Sequence, residues 1–144
     1  MFLIGSVPPP PPVTTTATVS DRGHVPTTTT TLTSAPRRLA ERRIAAAGLP
    51  MPRVLVTGDD VEHGKPAPDP FVLGARQLGL PVSRCLVFED APAGVEAAEA
   101  AGAPVVVITA THPTDINTGH AKIADYRYTK VLVDGDGHMG VRLT

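Results

Sequence analysis

The sequence predicts an α/β fold built on a parallel sheet, and three observations carry that expectation. Short continuous apolar runs, RVLVT at residues 53–57, CLVF at 85–88 and PVVVIT at 104–109, alternate with helical patterns of about ten residues. The helical patterns close on glycine. The strands lack the apolar–polar alternation of a sheet with one wet face, so helices are expected on both faces.

Taken in chain order, residues 1–32 are expected to form a low-complexity arm, because VPPPPPV and the threonine-rich stretch after it hold almost no large apolar side chain. Polyproline favours an extended, disordered or PPII-like state and could serve as a ligand for an SH3- or WW-type partner. Threonine is β-branched, so residues 27–33 could join a strand if a sheet edge were available. From residue 33 onward a folded body is expected. Ser34 is placed to cap SAPRRLAERRIAAAG, with Pro36 in the first turn, Leu39, Ala40, Ile44 and Ala47 on one face and Gly48 as the stop. Its four arginines, Arg37, Arg38, Arg42 and Arg43, read as the solvated face. After the strand at 53–57 comes a polar loop, GDDVEHGKPAP. In DPFVLGARQLG, Asp69 is the expected cap, Pro70 the first helical residue and Gly79 the stop. AGVEAAEAAG is the third helix. Residues 111–129 show little periodicity, and KVLVDGDGHMGVRL reads as a C-terminal β-hairpin around an Asp-Gly turn.

Bulk properties narrow the classes of function. A formal net charge of -1 without a basic patch argues against nucleic acid and against an anionic membrane surface. The single cysteine, Cys85, precludes an internal disulfide and sits in an apolar strand as a core residue. MFLIG is too short for a signal peptide or a span and runs into prolines, so a cytoplasmic, reducing setting is expected.

Ligands of open α/β sheets bind beyond the carboxyl ends of the strands. Thr33 and Ser34, Lys65, and the pair Glu89 and Asp90 all fall at such ends. Adjacent carboxylates can hold Mg²⁺ through oxygen, an ammonium can neutralise a phosphoryl group, and a hydroxyl can donate to a phosphate oxygen. Each also has a structural reading: Ser34 as a helix cap, Lys65 as a solvated loop lysine, Glu89 and Asp90 as first-turn acids favoured by a helix dipole. Gly58 to Lys65 does not make a P-loop, having five residues where four are required between glycines and Pro66 in place of Ser or Thr.

The ordered set LTSAPRRLAERRIAAAGLP, VTGDDVEHGKPAPDPFVLGARQLGL and CLVFEDAPAGVEAAEAAG resembles the second, third and fourth motifs of the haloacid dehalogenase superfamily over residues 31–110. The wording GKPAPDPF and FEDAPAGV is similar to its sugar and polyol phosphatase branch, which includes 2-deoxyglucose-6-phosphate and glycerol phosphatases and the related β-phosphoglucomutase. The resemblance implies an incomplete Rossmann-like core over residues 33–144. It assigns phosphoryl binding to Thr33, a nearby donor to Ser34, charge compensation to Lys65, and Mg²⁺ to Asp90 with Glu89, on a small phosphorylated metabolite.

The nucleophilic motif of that family, D-x-D-G-T or D-x-D-G-V at the end of the first strand, is absent before Thr33, as is the helical cap between the first two motifs. Asp21 has no partner two residues on. Asp134 and Asp136 in VLVDGDGHM stand in a D-x-D-G pattern, which a hairpin turn explains without chemistry. The expectation is therefore a phosphatase by descent with little turnover of its own. The alternative is a non-catalytic Mg²⁺- and phosphate-binding or interaction module using the proline-rich arm. Loss of the first strand is further expected to leave a sheet edge open to self-association.

Overall fold

The computed structural model describes residues 14–18, 28–110, 119–127, 129–133 and 139–143. Eight strands and three α-helices are seen among them. They are β1 (Thr14–Thr18), β2 (Thr28–Leu32), α1 (Arg37–Ala46), β3 (Val54–Val56), α2 (Asp69–Leu78), β4 (Cys85–Glu89), α3 (Pro92–Ala101), β5 (Val105–Ile108), β6 (Ala121–Ile123), β7 (Thr129–Val133) and β8 (Met139–Leu143). Six strands form one sheet in the order β3-β2-β1-β4-β5-β6, and β7 pairs with β8 as a separate antiparallel hairpin.

The predicted parallel α/β architecture is present, with β2 parallel to β3, β4 to β5 and β5 to β6. Every residue of β4 and β5 is buried, as the unbroken apolar runs require of strands covered on both sides. The alternating residues separate into two clusters. Val87, Val105 and Val107 join Leu32, Val56, Phe71 and Val95 in one cluster, while Leu86, Phe88, Val106, Ile108 and Ile123 make the other. Cys85 is buried in β4 as expected, its Sγ 3.6 Å from the Pro81 carbonyl oxygen.

Two stretches of the arm are strands, the second within the run 27–33 expected to join a strand if a sheet edge were available. Thr14–Thr18 and Thr28–Leu32 are strands of the sheet, while the proline run and residues 19–27 lie outside the described residues. The threonine run can be buried because its polar groups find partners: Thr30 is 1% exposed and its Oγ1 donates to the Val54 carbonyl at 2.9 Å. A sheet position was available to it, beside β3. Between β2 and β4 stands β1, antiparallel to both. The edge expected to be open is thus occupied, and the outer strands of the sheet are β3 and β6. Strand β6 was not anticipated; it has three residues, two of them exposed, too short to show a period.

Two helix starts differ from the sequence reading. Helix α1 begins at Arg37, its preceding residue is Pro36, and no local side chain caps it, so Ser34 is not the cap. The Arg37 amide instead donates to Asp59 Oδ2 at 2.8 Å. Asp60 Oδ2 accepts from the Arg37 guanidinium at 2.7 Å and from the amide and hydroxyl of Thr57 at 2.8 and 2.7 Å, closing a capping box over a short 3₁₀ turn at Gly58–Asp60. Arg37 also donates to the Leu55 carbonyl. It is a tie between helix and loop, and the solvated-face reading does not hold for it. Helix α2 starts one residue early: Asp69 is its first residue and Pro68 precedes it, so Asp69 is not the cap, and its carboxylate faces His63 Nδ1 at 3.2 Å. The glycine stops at Gly79 and Gly102 are as expected, each in the left-handed region at φ 75° and 78°.

Asp60→Asn is expected to lower stability by about 1–2 kcal/mol at neutral pH. Burial pushes the Asp60 carboxyl upward, but the Thr57 hydroxyl, the Arg37 guanidinium and the Thr57 amide outweigh it and hold the group below the ordinary aspartate value. A depressed value in the folded state adds stability that is present above the ordinary range and lost as pH falls through the lowered one. Urea unfolding of parent and variant should therefore converge as pH falls below the ordinary aspartate range. A gap that does not change with pH would place the effect elsewhere.

Candidate functional site

The carboxyl ends of β2 and β4 open onto one cleft of about 480 Å³, lined by Thr33, Ser34, Leu39, Arg43, Lys65, Glu89 and Asp90 together with Ala91, Ala93 and Gly94. All five residues singled out in the sequence are brought together there. They come from the loop after β2, the loop after β3 and the end of β4.

Thr33 follows β2 directly, and its amide donates to the Val56 carbonyl at 2.9 Å, extending the β2–β3 ladder by one bond. The Thr33 hydroxyl accepts from the Ala35 amide at 3.2 Å, so its own proton is left to donate. Ser34 is exposed at the cleft mouth. Its loop crosses the next one closely: the Gly58 amide donates to the Ala35 carbonyl at 3.1 Å, and a Cβ on Gly58 would lie 2.6 Å from the Ser34 carbonyl oxygen. Gly58, read in the sequence as part of a failed P-loop, is needed for that approach.

Lys65 is not a solvated loop lysine. Its side chain is 10% exposed, its Nζ pairs with Glu89 Oε1, and it sits 5.1 Å from the centre of the Phe71 ring. Glu89 is 1% exposed in its side chain. Its second oxygen, Oε2, accepts from the amides of Asp90 at 3.0 Å and Ala91 at 3.3 Å. Glu89 therefore acts inward, with both oxygens engaged by the protein. Asp90, 5% exposed, presents the other carboxylate of the cleft.

An oxygen donor of this kind suits a hard cation such as Mg²⁺, which commonly takes one or two carboxylates and completes its shell with water and substrate phosphate. Asp90 would be the direct ligand, with Glu89 behind it. No cluster of three or more His, Cys, Asp or Glu side chains capable of caging a metal occurs among the described residues.

Sequence reasoning missed three contributors. Gly94, on the inner face of α3, lies against the Glu89 carboxylate so closely that a Cβ would overlap it. Arg43, assigned to the solvated face of α1, lines the cleft one turn after Leu39. Tyr126 stacks at a tilt on Phe88, with ring centres 5.6 Å apart. Partial burial first, and the Asp90 and Glu89 charges second, push its phenol up to about 12. The only cue was for Gly94, a glycine inside an otherwise alanine-rich helix.

The family model for haloacid dehalogenase-like hydrolases matches residues 15–102, more than half of the chain. The chain belongs to the haloacid dehalogenase-like hydrolase family. It is 47% identical over 83 residues to hexitol phosphatase A of Escherichia coli strain K12, a match covering 58% of this chain and 38% of that protein. It is 38% identical over 90 residues to glycerol-1-phosphate phosphohydrolase 2 of Saccharomyces cerevisiae, covering 58% of this chain and 36% of the relative. The matched part thus spans less than two-fifths of either relative. Among solved structures, CbbY from Rhodobacter sphaeroides in complex with phosphate superposes with a TM-score of 0.57 at 26% identity, covering 65% of this chain and 44% of that one. The dehalogenase-like hydrolase core was recognisable in the sequence from the same three motifs that line the cleft.

Two outcomes test this geometry. Gly94→Ala should lower stability by about 1–3 kcal/mol despite alanine's higher helix propensity, because the new methyl meets the Glu89 carboxylate. Gly64→Ala, with open space around it, is the matched control, and equal effects at both positions would remove the close-packing argument. In a Tyr128→Phe background, absorbance titration should show Tyr126 ionising near 12 and moving downward on Asp90→Asn. A raised phenol contributes stability that fades as pH climbs from about 10 through the raised value. A titration indifferent to Asp90 would place Tyr126 away from the site.

Proposed function

We propose that this chain carries the phosphate- and cation-binding part of a phosphatase for small sugar or polyol phosphate monoesters, working in the cytoplasm with Mg²⁺, and that its own turnover is low. The observation that supports the reading is the convergence of Thr33, Ser34, Lys65, Glu89 and Asp90 on one cleft at the carboxyl ends of β2 and β4. Thr33 and Ser34 would donate to phosphoryl oxygens. Lys65, held by Glu89 and the Phe71 ring, would compensate phosphoryl charge. Bound at Asp90, the cation would supply electrostatic stabilisation of the phosphoryl oxygens. The substrate class follows the names of the relatives, a hexitol phosphatase and a glycerol-1-phosphate phosphohydrolase. CbbY, of similar fold, holds phosphate.

Low turnover follows from the centre of the sheet. Covalent phosphoryl transfer in this family needs a carboxylate nucleophile opposite the bound phosphate. The strand between β2 and β4 is β1, whose Thr14 end lies beside Leu32 at the cleft side. That strand, TTTAT, brings no carboxylate. Asp134 and Asp136, the one D-x-D-G pattern, fall between β7 and β8 and outside the described residues.

Phosphate release from p-nitrophenyl phosphate, glycerol phosphate and hexose phosphates, with Mg²⁺ and with EDTA, tests the proposal. Background rates are expected, several orders of magnitude below an intact hydrolase, on the order of 10⁶ where a covalent nucleophile is lacking. Inorganic phosphate with Mg²⁺ is nevertheless expected to raise the melting temperature of the parent and not of Asp90→Ala. Mg²⁺-dependent turnover abolished by Asp134→Ala would show that the terminal D-x-D-G supplies a nucleophile and would overturn the low-turnover reading.

A further inference from the structure

The cleft charges are unequal in their commitments. Lys65 and Glu89 compensate each other in a buried pair, leaving Asp90 and Arg43 as the remaining charged lining residues. Arg43 differs from its neighbours on α1: Arg38 and Arg42 are exposed, Arg37 is tied to Asp60, and Arg43 is half-buried in the cleft wall. No carboxylate pairs with it among the described residues. A half-buried guanidinium facing a cleft is a strong anion receptor, since it offers a planar fork of donors and keeps its charge at any working pH.

Arg43 lies in the second turn of α1, whereas Thr33 and Ser34 precede the helix. Arg43 stands six residues along α1 from Arg37, about 9 Å at the helical rise, and helical side chains lean back toward the N-terminus. Thr33, Leu39 and Arg43 line the same cleft, with Arg43 one turn further along α1 than Leu39.

We infer that Arg43 is a specificity residue that receives a second anionic group, a carboxylate or a second phosphate, on the end of the substrate remote from the phosphoryl group held by Thr33 and Lys65. The inference rests on the phosphate-site reading above and narrows its substrate class to sugar or polyol phosphates that carry two anions.

Calorimetric titration of the full chain in excess Mg²⁺ tests it with two matched pairs, glycerol 3-phosphate against 3-phosphoglycerate and fructose 6-phosphate against fructose 1,6-bisphosphate. Each doubly anionic ligand is expected to bind about tenfold more tightly than its partner, a carboxylate preference appearing in the first pair and a phosphate preference in the second. Arg43→Ala should erase the preference while leaving inorganic phosphate affinity within about twofold, Arg43→Lys should restore part of it, and Arg42→Ala should keep it whole. Equal affinities in the parent, or a preference that survives Arg43→Ala, overturns the inference alone. A parent chain that binds no inorganic phosphate overturns this inference and the phosphate-site reading together.

Discussion

A carboxylate buried at the end of a central strand has to be compensated, and the arrangement around Glu89 follows from that requirement. Its side chain is 1% exposed, where an unpaired charge would cost several kcal/mol. Lys65 supplies the counter-charge from one loop, and the amides of Asp90 and Ala91 supply donors from the next. Gly94 gives the side chain room beneath α3, and Phe71 of α2 lies under the lysine. One ionic contact thus couples α2, β4 and α3. The same coupling holds Asp90 in place, since Asp90 is the residue whose amide Glu89 accepts.

The other wall of the cleft is held by different means. Helix α1 has no cap of its own and takes one from Asp59, while its first arginine is clasped by Asp60. The close crossing of Gly58 over Ser34 then fixes the Thr33 loop against the β3 loop. The Thr33 and Ser34 hydroxyls are consequently positioned by residues some twenty-five positions later in the chain, which local sequence signals could not indicate.

That contrast explains what could be read in advance. Strands β4 and β5 were visible because burial on both faces demands unbroken apolar runs, and α2 and α3 were visible because Gly79 and Gly102 end them in the left-handed region. The five residues that line the cleft together were visible because their spacing matches motifs of a family. Strand β6 was not, since three residues with two exposed carry no period. Strand β1 was not, because TTTAT holds no large apolar side chain to mark it, and it takes its place by pairing with β2 on one side and β4 on the other. Arg43 was misassigned and Gly94 overlooked for a related reason: helical periodicity says which face a residue shares but not what that face adjoins. Ser34 was read as a cap on composition alone, whereas the cap came across from Asp59.

The reversed central strand has a kinetic consequence. Thr16 pairs with Val87, so the middle of the sheet is closed by partners about seventy residues apart, whereas β4, α3 and β5 form a contiguous unit. Long-range pairing carries the larger loop-closure entropy and is made late. The folding order that follows is assembly of the Glu89 end of the cleft first and insertion of β1 afterwards, with β2 and β4 left as two unpaired strand edges in the interval.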